Sequence, residues 1–172
     1  MTSPHAITPP DGHSADVYSP AGTPISIRLM QSDDFPRLLA LWRSCTGMGL
    51  NNVDDTPQGI ARFLERNPTT CFVAQSDTDG SILGAILSGH DGRRGYIYHT
   101  AVSPSARHQG IASRLVSCVC EAMRRESIAK IELVVFSRNA AGNAFWEAQG
   151  FTARHDLVYR NLALRQITRY DS

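Results

Sequence analysis

His99-Thr100-Ala101-Val102-Ser103-Pro104-Ser105-Ala106-Arg107-His108-Gln109-Gly110-Ile111-Ala112-Ser113-Arg114-Leu115 reads as the end of a strand running into the start of a helix. The first-turn amides of a helix have no partners inside it and point at whatever lies in front, so a strand, a tight turn and a helix N-terminus together make an anion site. Gly110 lets the backbone come close to a bulky phosphate because no Cβ stands in the way. Ala112 is the next smallest choice, and Arg107 adds a permanent charge and a fork of donors. The turn reads as the seat of a pyrophosphate, although an ordinary strand-to-helix turn has the same outline.

Upstream, Tyr96 to Val102 is the strand that feeds this turn. Downstream, Gln109 to Arg125 is an amphipathic helix with Ile111, Leu115, Cys118, Val119, Ala122 and Met123 on one face. A helix between strands packs on the sheet and invites a parallel return strand, which Lys130 to Phe136 supplies. Asn139 to Gln149 is a short helix ended by Gly150.

Two blocks carry a family resemblance. Arg107-His108-Gln109-Gly110-Ile111-Ala112 resembles the Arg/Gln-x-x-Gly-x-Gly/Ala loop of the GNAT N-acetyltransferases, which holds the pyrophosphate of coenzyme A. Asn139-Ala140-Ala141-Gly142-Asn143-Ala144-Phe145-Trp146-Glu147-Ala148-Gln149-Gly150-Phe151 resembles the second block of that family: an Asn, an aromatic on a short helix, then Gly-Phe. The resemblance runs from about Ile25 to Leu164, the length of one domain.

The remaining elements complete the order. Met1 to Pro24 holds most of the prolines and almost no apolar periodicity, so residues 1–24 are expected to form a disordered tail. Ile25 to Leu29 alternates as a strand. Ser32-Asp33-Asp34 offers a cap to a helix with Phe35, Leu38, Leu39, Leu41, Trp42 and Cys45 at mostly helical spacing. Trp42 is expected in the core or on a groove wall. Thr46 to Asp55 has a loop composition, and Thr56-Pro57 caps a second helix that Asn67-Pro68 stops. Thr70 to Gln75, Ser81 to Ser88 and Tyr96 to Val102 form an antiparallel meander with Asp79-Gly80 as one hairpin turn. Phe151 to Leu164 is expected to supply one or two last strands.

The fold class is therefore α/β (α+β), in the order β-α-α-β-β-β-α-β-α-β. It is a mixed, mostly antiparallel central sheet flanked by helices, with a domain at 25–165 and a polar tail at 166–172. The resemblance further implies that two central parallel strands splay apart and admit the cofactor.

Composition narrows the function. Seventeen basic and 16 acidic residues give a formal charge of +1, so no basic field argues for nucleic acid. No apolar run is long enough to span a bilayer, and no charged segment followed by an apolar one begins the chain, so a signal peptide is not expected and a cytoplasmic location is. Cys45, Cys71, Cys118 and Cys120 form no Cys-x-x-Cys pair and are expected to be reduced thiols; no metal is expected. A homodimer would be in keeping with the family.

The resemblance implies acetyl-CoA as co-substrate and an amine acceptor, attacked directly with no covalent enzyme intermediate. It assigns backbone amides of Thr100, Ala101 and Val102 to the acetyl and pantetheine part. One of them would polarise the thioester carbonyl. It assigns Arg107, His108, Gln109, Gly110, Ile111, Ala112 and Ser113 to the pyrophosphate. Asn139 would bond pantetheine amides, cap its helix, or do both. Phe145 and Trp146 lie on the short helix. Many family members have at the position of Trp146 a tyrosine that protonates the leaving thiolate, and an indole N–H is no usable acid. Trp146 is therefore a wall against the cofactor.

Tyr159, expected on a late strand, is a substitute acid or an ordinary strand tyrosine, with Ser113, Ser137 and water as other sources of the proton. His99 is the favoured base, since imidazole titrates near neutral pH; it could equally be a histidine bonded within the sheet. Alternation along the strand sends Tyr98 to the opposite face. Glu132 is another base candidate, and Asp54, Asp55 and Asp156 could attract a cationic amine. Arg93 and Arg94 sit in a solvated turn. The rival reading, favoured by Trp146, is a module that binds acyl-CoA as a sensor without efficient catalysis.

Overall fold

The computed structural model describes residues 17–18 and 24–170. Among these described residues six strands form one sheet in sequential order: β1 (Val17–Tyr18), β2 (Pro24–Leu29), β3 (Phe72–Ser76), β4 (Ile82–His90), β5 (Gly95–Val102) and β6 (Ile131–Leu133). Only the last pair, β5 with β6, is parallel. The helices are α1 (Phe35–Arg43), α2 (Pro57–Arg66), α3 (Ile111–Arg125) and α4 (Ala140–Ala148). Among the described residues no helix is long and apolar enough to cross a membrane.

Each face of the sheet has its own core. On one side Leu38, Leu41 and Trp42 of α1 and Ile60 and Leu64 of α2 pack on Val73, Ala85, Leu87 and Ala101. On the other, Ile111, Leu115, Val116, Val119 and Met123 of α3 pack on Ala74, Ile86 and Ile97. Val116, not Cys118, completes the buried stripe of α3. Neighbouring strand residues serve opposite cores, as the two-residue period requires. Gly84 sets the approach of α3: a Cβ there would lie 2.7 Å from Ile111 Cγ2, so only a glycine lets the first turn of α3 rest on β4.

The sheet is anchored to α1 by a buried carboxylate. Asp34 is 1% exposed and accepts hydrogen bonds from Arg28 at 2.7 and 2.8 Å, from Arg37 at 2.6 Å and from the Gln31 amide at 2.9 Å. Burial alone would push this carboxyl up; the Arg28 and Gln31 bonds and the two guanidinium charges outweigh it and hold it below the ordinary range. A depressed folded value contributes stability that is complete above the unfolded carboxyl's titration and is lost as pH falls through the folded one. Asp34→Asn is therefore expected to cost roughly 2 kcal/mol at neutral pH, with the gap to wild type closing as pH falls below about 4. Urea unfolding at neutral and acid pH measures it, and an equal gap at both would refute the linkage.

Two expectations need correction. Within the expected tail of residues 1–24, Val17–Tyr18 pair antiparallel with Pro24 and Ile25, and Pro24 already belongs to β2; the rest of that tail lies outside the described residues. No strand follows α4 among the described residues. Phe151 to Leu164 is almost wholly exposed irregular chain, with Leu162 82% and Leu164 92% exposed. Alternation alone does not make a strand without an edge to pair with. The polar tail bonds back to the loop before α2: Asn52 N–H donates to Thr168 O, Thr168 N–H to Asn52 Oδ1 and Tyr170 N–H to Leu50 O.

Candidate active site

The sheet opens where the sequence turns toward the glycine loop. β5 and β6 pair only at Gly95–Ile131, Tyr96–Glu132 and Ile97–Leu133. Beyond Ile97, β5 continues to Val102 against β4 alone. In an antiparallel ladder, residues alternate between bonding the partner strand and facing away from it. Of Thr100, Ala101 and Val102, at least one amide thus faces the side that β6 has left. A 3-10 turn, Pro104–Ala106, then leads to Arg107.

The loop itself is shaped by backbone conformation. His108 has φ 63° and Gly110 has φ 73°, both left-handed. Only glycine holds that conformation cheaply, and Gly110 also serves as the N-cap of α3 without offering a side chain. The first-turn amides of Ile111, Ala112 and Ser113 thus have no side-chain cap, and a Cβ on Gly110 would meet nothing within 4 Å. Arg107 is exposed, its Nε 3.5 Å from Val102 O. An uncapped 15-residue helix, an exposed arginine and open space in front suit a diphosphate.

A bulge in β5 rearranges the strand just before the loop. Leu87 pairs with His99 but Ser88 pairs with Ile97, which leaves Tyr98 as an extra residue. Strict alternation would send Tyr98 and His99 to opposite faces. Instead both meet the α1/α2 side: the Tyr98 ring is 5.4 Å from Phe63 of α2, and the His99 ring is 5.2 Å from Trp42 of α1. The separation expected from the strand period is thereby overturned, and the bulge is the reason.

His99 is part of a buried pair. Its Nε2 lies 2.8 Å from Asp55 Oδ1, and the two side chains are 14% and 2% exposed. Asp55 Oδ2 accepts the Asn51 N–H at 2.7 Å. Thr56, the next residue, caps α2 by accepting the Gly59 N–H at 3.0 Å, so the carboxylate is fixed from both sides. Trp42 is fully buried, which answers its question in favour of the core. Trp42 Nε1, His99 Nδ1 and Thr100 Oγ1 are buried polar atoms without a hydrogen-bond partner.

The other candidates are placed as follows. Asn139 Oδ1 caps α4, accepting Gly142 N–H at 2.9 Å, while Asn143 Nδ2 bonds Phe136 O and Asn139 O. Trp146 packs edge-on between Phe145 and Phe151 at 5.0 and 5.1 Å. Ser113 Oγ accepts from Gln149 Nε2 at 3.1 Å, joining the end of α4 to the start of α3. Tyr159 is not on a strand and is 69% exposed, yet its phenol helps raise the pKa of Tyr96 and Tyr98, after the larger effect of their burial. Glu132 is an exposed ion-pair partner of Lys130 at 2.9 Å and Arg94 at 4.0 Å, and the Lys130 bond holds its carboxyl low, which disfavours it as a base. Asp156 pairs with Arg154 and is lowered to about 2 by that bond. Asp55 is no solvated acceptor magnet but a buried partner of His99.

The four cysteines are free; burial pushes the Cys71 thiol up to about 12. Among the described residues no group of three or more His, Cys, Asp or Glu could hold a metal ion. What sequence reasoning missed is the Asp55–His99 contact. Its faint signal is an aspartate immediately before the Thr56-Pro57 cap, where a helix start pins it.

Residues 35–151 match the family model described as acetyltransferase (GNAT) family. An acetyltransferase of Pectobacterium atrosepticum is 32% identical over 123 residues, covering 72% of this chain and 84% of that protein. Among solved structures, the PaiA N-acetyltransferase of Thermoplasma acidophilum in complex with coenzyme A has a TM-score of 0.67 at 18% identity, covering 76% of this chain and 91% of that one. A chain of the NatC complex bound to Gag peptide and CoA has a TM-score of 0.63 at 24% identity, covering 74% and 84%. The family match over residues 35–151 and the acetyltransferase relatives agree with the fold: this chain belongs to the GNAT acetyltransferase family and is an N-acetyltransferase with acetyl-CoA as co-substrate.

Proposed function

We propose that the chain moves an acetyl group to a primary amine, on a small molecule or at a protein N-terminus or lysine, by direct attack with His99 as the base. One observation carries this reading: the buried His99–Asp55 pair sits immediately before the β5 amides on the strand that runs into the glycine loop. When bound, acetyl-CoA supplies an activated acyl carbon and a thiolate leaving group.

The chain's residues divide the remaining work. Ile111, Ala112 and Ser113 amides with Arg107, His108, Gln109 and Gly110 hold the diphosphate. A backbone amide among Thr100, Ala101 and Val102 supports the developing oxyanion. Asn139 orients the short helix beside the pantetheine arm, and Phe145 and Trp146 wall it. His99 takes the ammonium proton, which makes the nitrogen a nucleophile. The leaving thiolate receives its proton from Tyr159 or from water. The phenol is exposed, so it is open to solvent for proton exchange. The reaction needs neither nucleic acid nor membrane, and the reading places the protein in the cytoplasm.

Calorimetric titration with acetyl-CoA, followed by a panel of small amines and peptides with thiol release monitored, tests this. Binding with thiol release that depends on one amine class is the expected result and names the acceptor. Binding without turnover on any of them would favour the sensor reading.

A further inference from the structure

Asp55 accepts on both oxygens, and this decides which nitrogen of His99 can act. Asp55 Oδ2 takes the Asn51 N–H at 2.7 Å, and Oδ1 faces His99 Nε2 at 2.8 Å. A carboxylate only accepts, so Nε2 must be the nitrogen that carries hydrogen. The lone pair of the neutral ring is then on Nδ1, which is buried and has no hydrogen-bond partner. We infer that Asp55 is the positioning residue of this enzyme: it holds His99 in the Nε2–H tautomer and so makes Nδ1 the atom that receives the acceptor's proton.

The inference rests on the reading of His99 as base. Three features fix the geometry independently of activity. The loop residue Asn51 turns back on itself, its Oδ1 accepting Val53 and Asp54 N–H at 2.9 Å each. The α2 cap begins at the residue after Asp55. The loop is also stitched to the C-terminal strap through the bridge of Asn51 with Arg169. Other titratable groups on this face include Asp54, whose Oδ2 is 3.3 Å from Asn51 Nδ2, Tyr98 on β5 with the Tyr96 ring 4.7 Å from it, and Cys45, which donates to Val102 O at 3.5 Å. From α1 the ring meets the uncharged Trp42.

Asp55→Asn is the discriminating variant because it is nearly the same shape. Asn51 N–H is a donor and would keep an oxygen opposite it. The new amide nitrogen then faces Nε2 as a donor, which requires the ring lone pair there and moves the hydrogen to Nδ1. Imidazole nitrogen NMR on the full chain should show His99 as the Nε2–H tautomer in wild type and as Nδ1–H in Asp55→Asn. Turnover should fall about 100-fold or more, within the range of general-base effects, with acetyl-CoA affinity unchanged. An Nδ1–H tautomer in wild type, or no tautomer change in the variant, would overturn the assignment of Asp55. A tautomer change with unchanged turnover would instead remove His99 as base and, with it, the catalytic role of Asp55.

Discussion

Gly110→Glu abolishes acetyl-CoA binding while leaving the fold intact: that is the expected result of a charge placed at the mouth of α3. Gly110 has φ 73°, and its side-chain direction is open, so a longer residue can be built without collision. The backbone strain is about 1–2 kcal/mol for a residue with a Cβ. A glutamate there would offer its own carboxylate to the first-turn amides that the diphosphate needs, and would repel the diphosphate besides. A loss of about 100-fold or more in affinity, equivalent to about 2.8 kcal/mol, is the expected scale. Gly110→Ala carries the same strain without the charge and separates the two causes. Calorimetry on both variants, with thermal unfolding as the check on folding, decides it. Retained affinity in a folded Gly110→Glu protein would refute the pyrophosphate turn.

His99→Ala is expected to lower turnover at neutral pH by about 10² to 10⁴-fold. Acetyl-CoA affinity should hardly change, because the ring touches Trp42 and Asp55 on the α1/α2 side whereas the proposed diphosphate seat is the first turn of α3. Truncation also strips Asp55 of a partner in a buried site, which costs stability. His99→Gln answers that concern, since its amide can still donate to Asp55 Oδ1 but offers no base. Steady-state rates across pH for both variants, beside calorimetric affinities, make the measurement. An unchanged profile in either would remove His99 from the chemistry.

Much of the site was legible because it is local. Gly110 and its neighbours lie within one turn, and the constraint there is a backbone conformation that few residue types adopt. Asn139 likewise reads as a cap because the atoms it satisfies are its own helix's amides. The dyad was not legible. Asp55 and His99 are 44 residues apart, and nothing in either segment announces the other. The Tyr98 bulge was equally silent: a strand period counts residues, and one extra residue in the pairing turns two neighbours to the same face. The strands expected over Phe151 to Leu164 do not form among the described residues, because pairing is decided by a partner edge.

The amino-acid sequence by itself determined the order of elements from β2 to α4, the caps of α2 and α4 and the glycine turn, because each depends on hydrogen bonds and φ values spanning a few residues. The tertiary structure alone decided where β6 leaves β5, which face His99 takes, and that Asp55 is buried against it. Those outcomes are set by competition among distant segments for the same edge and the same interior volume, which no short window of sequence contains.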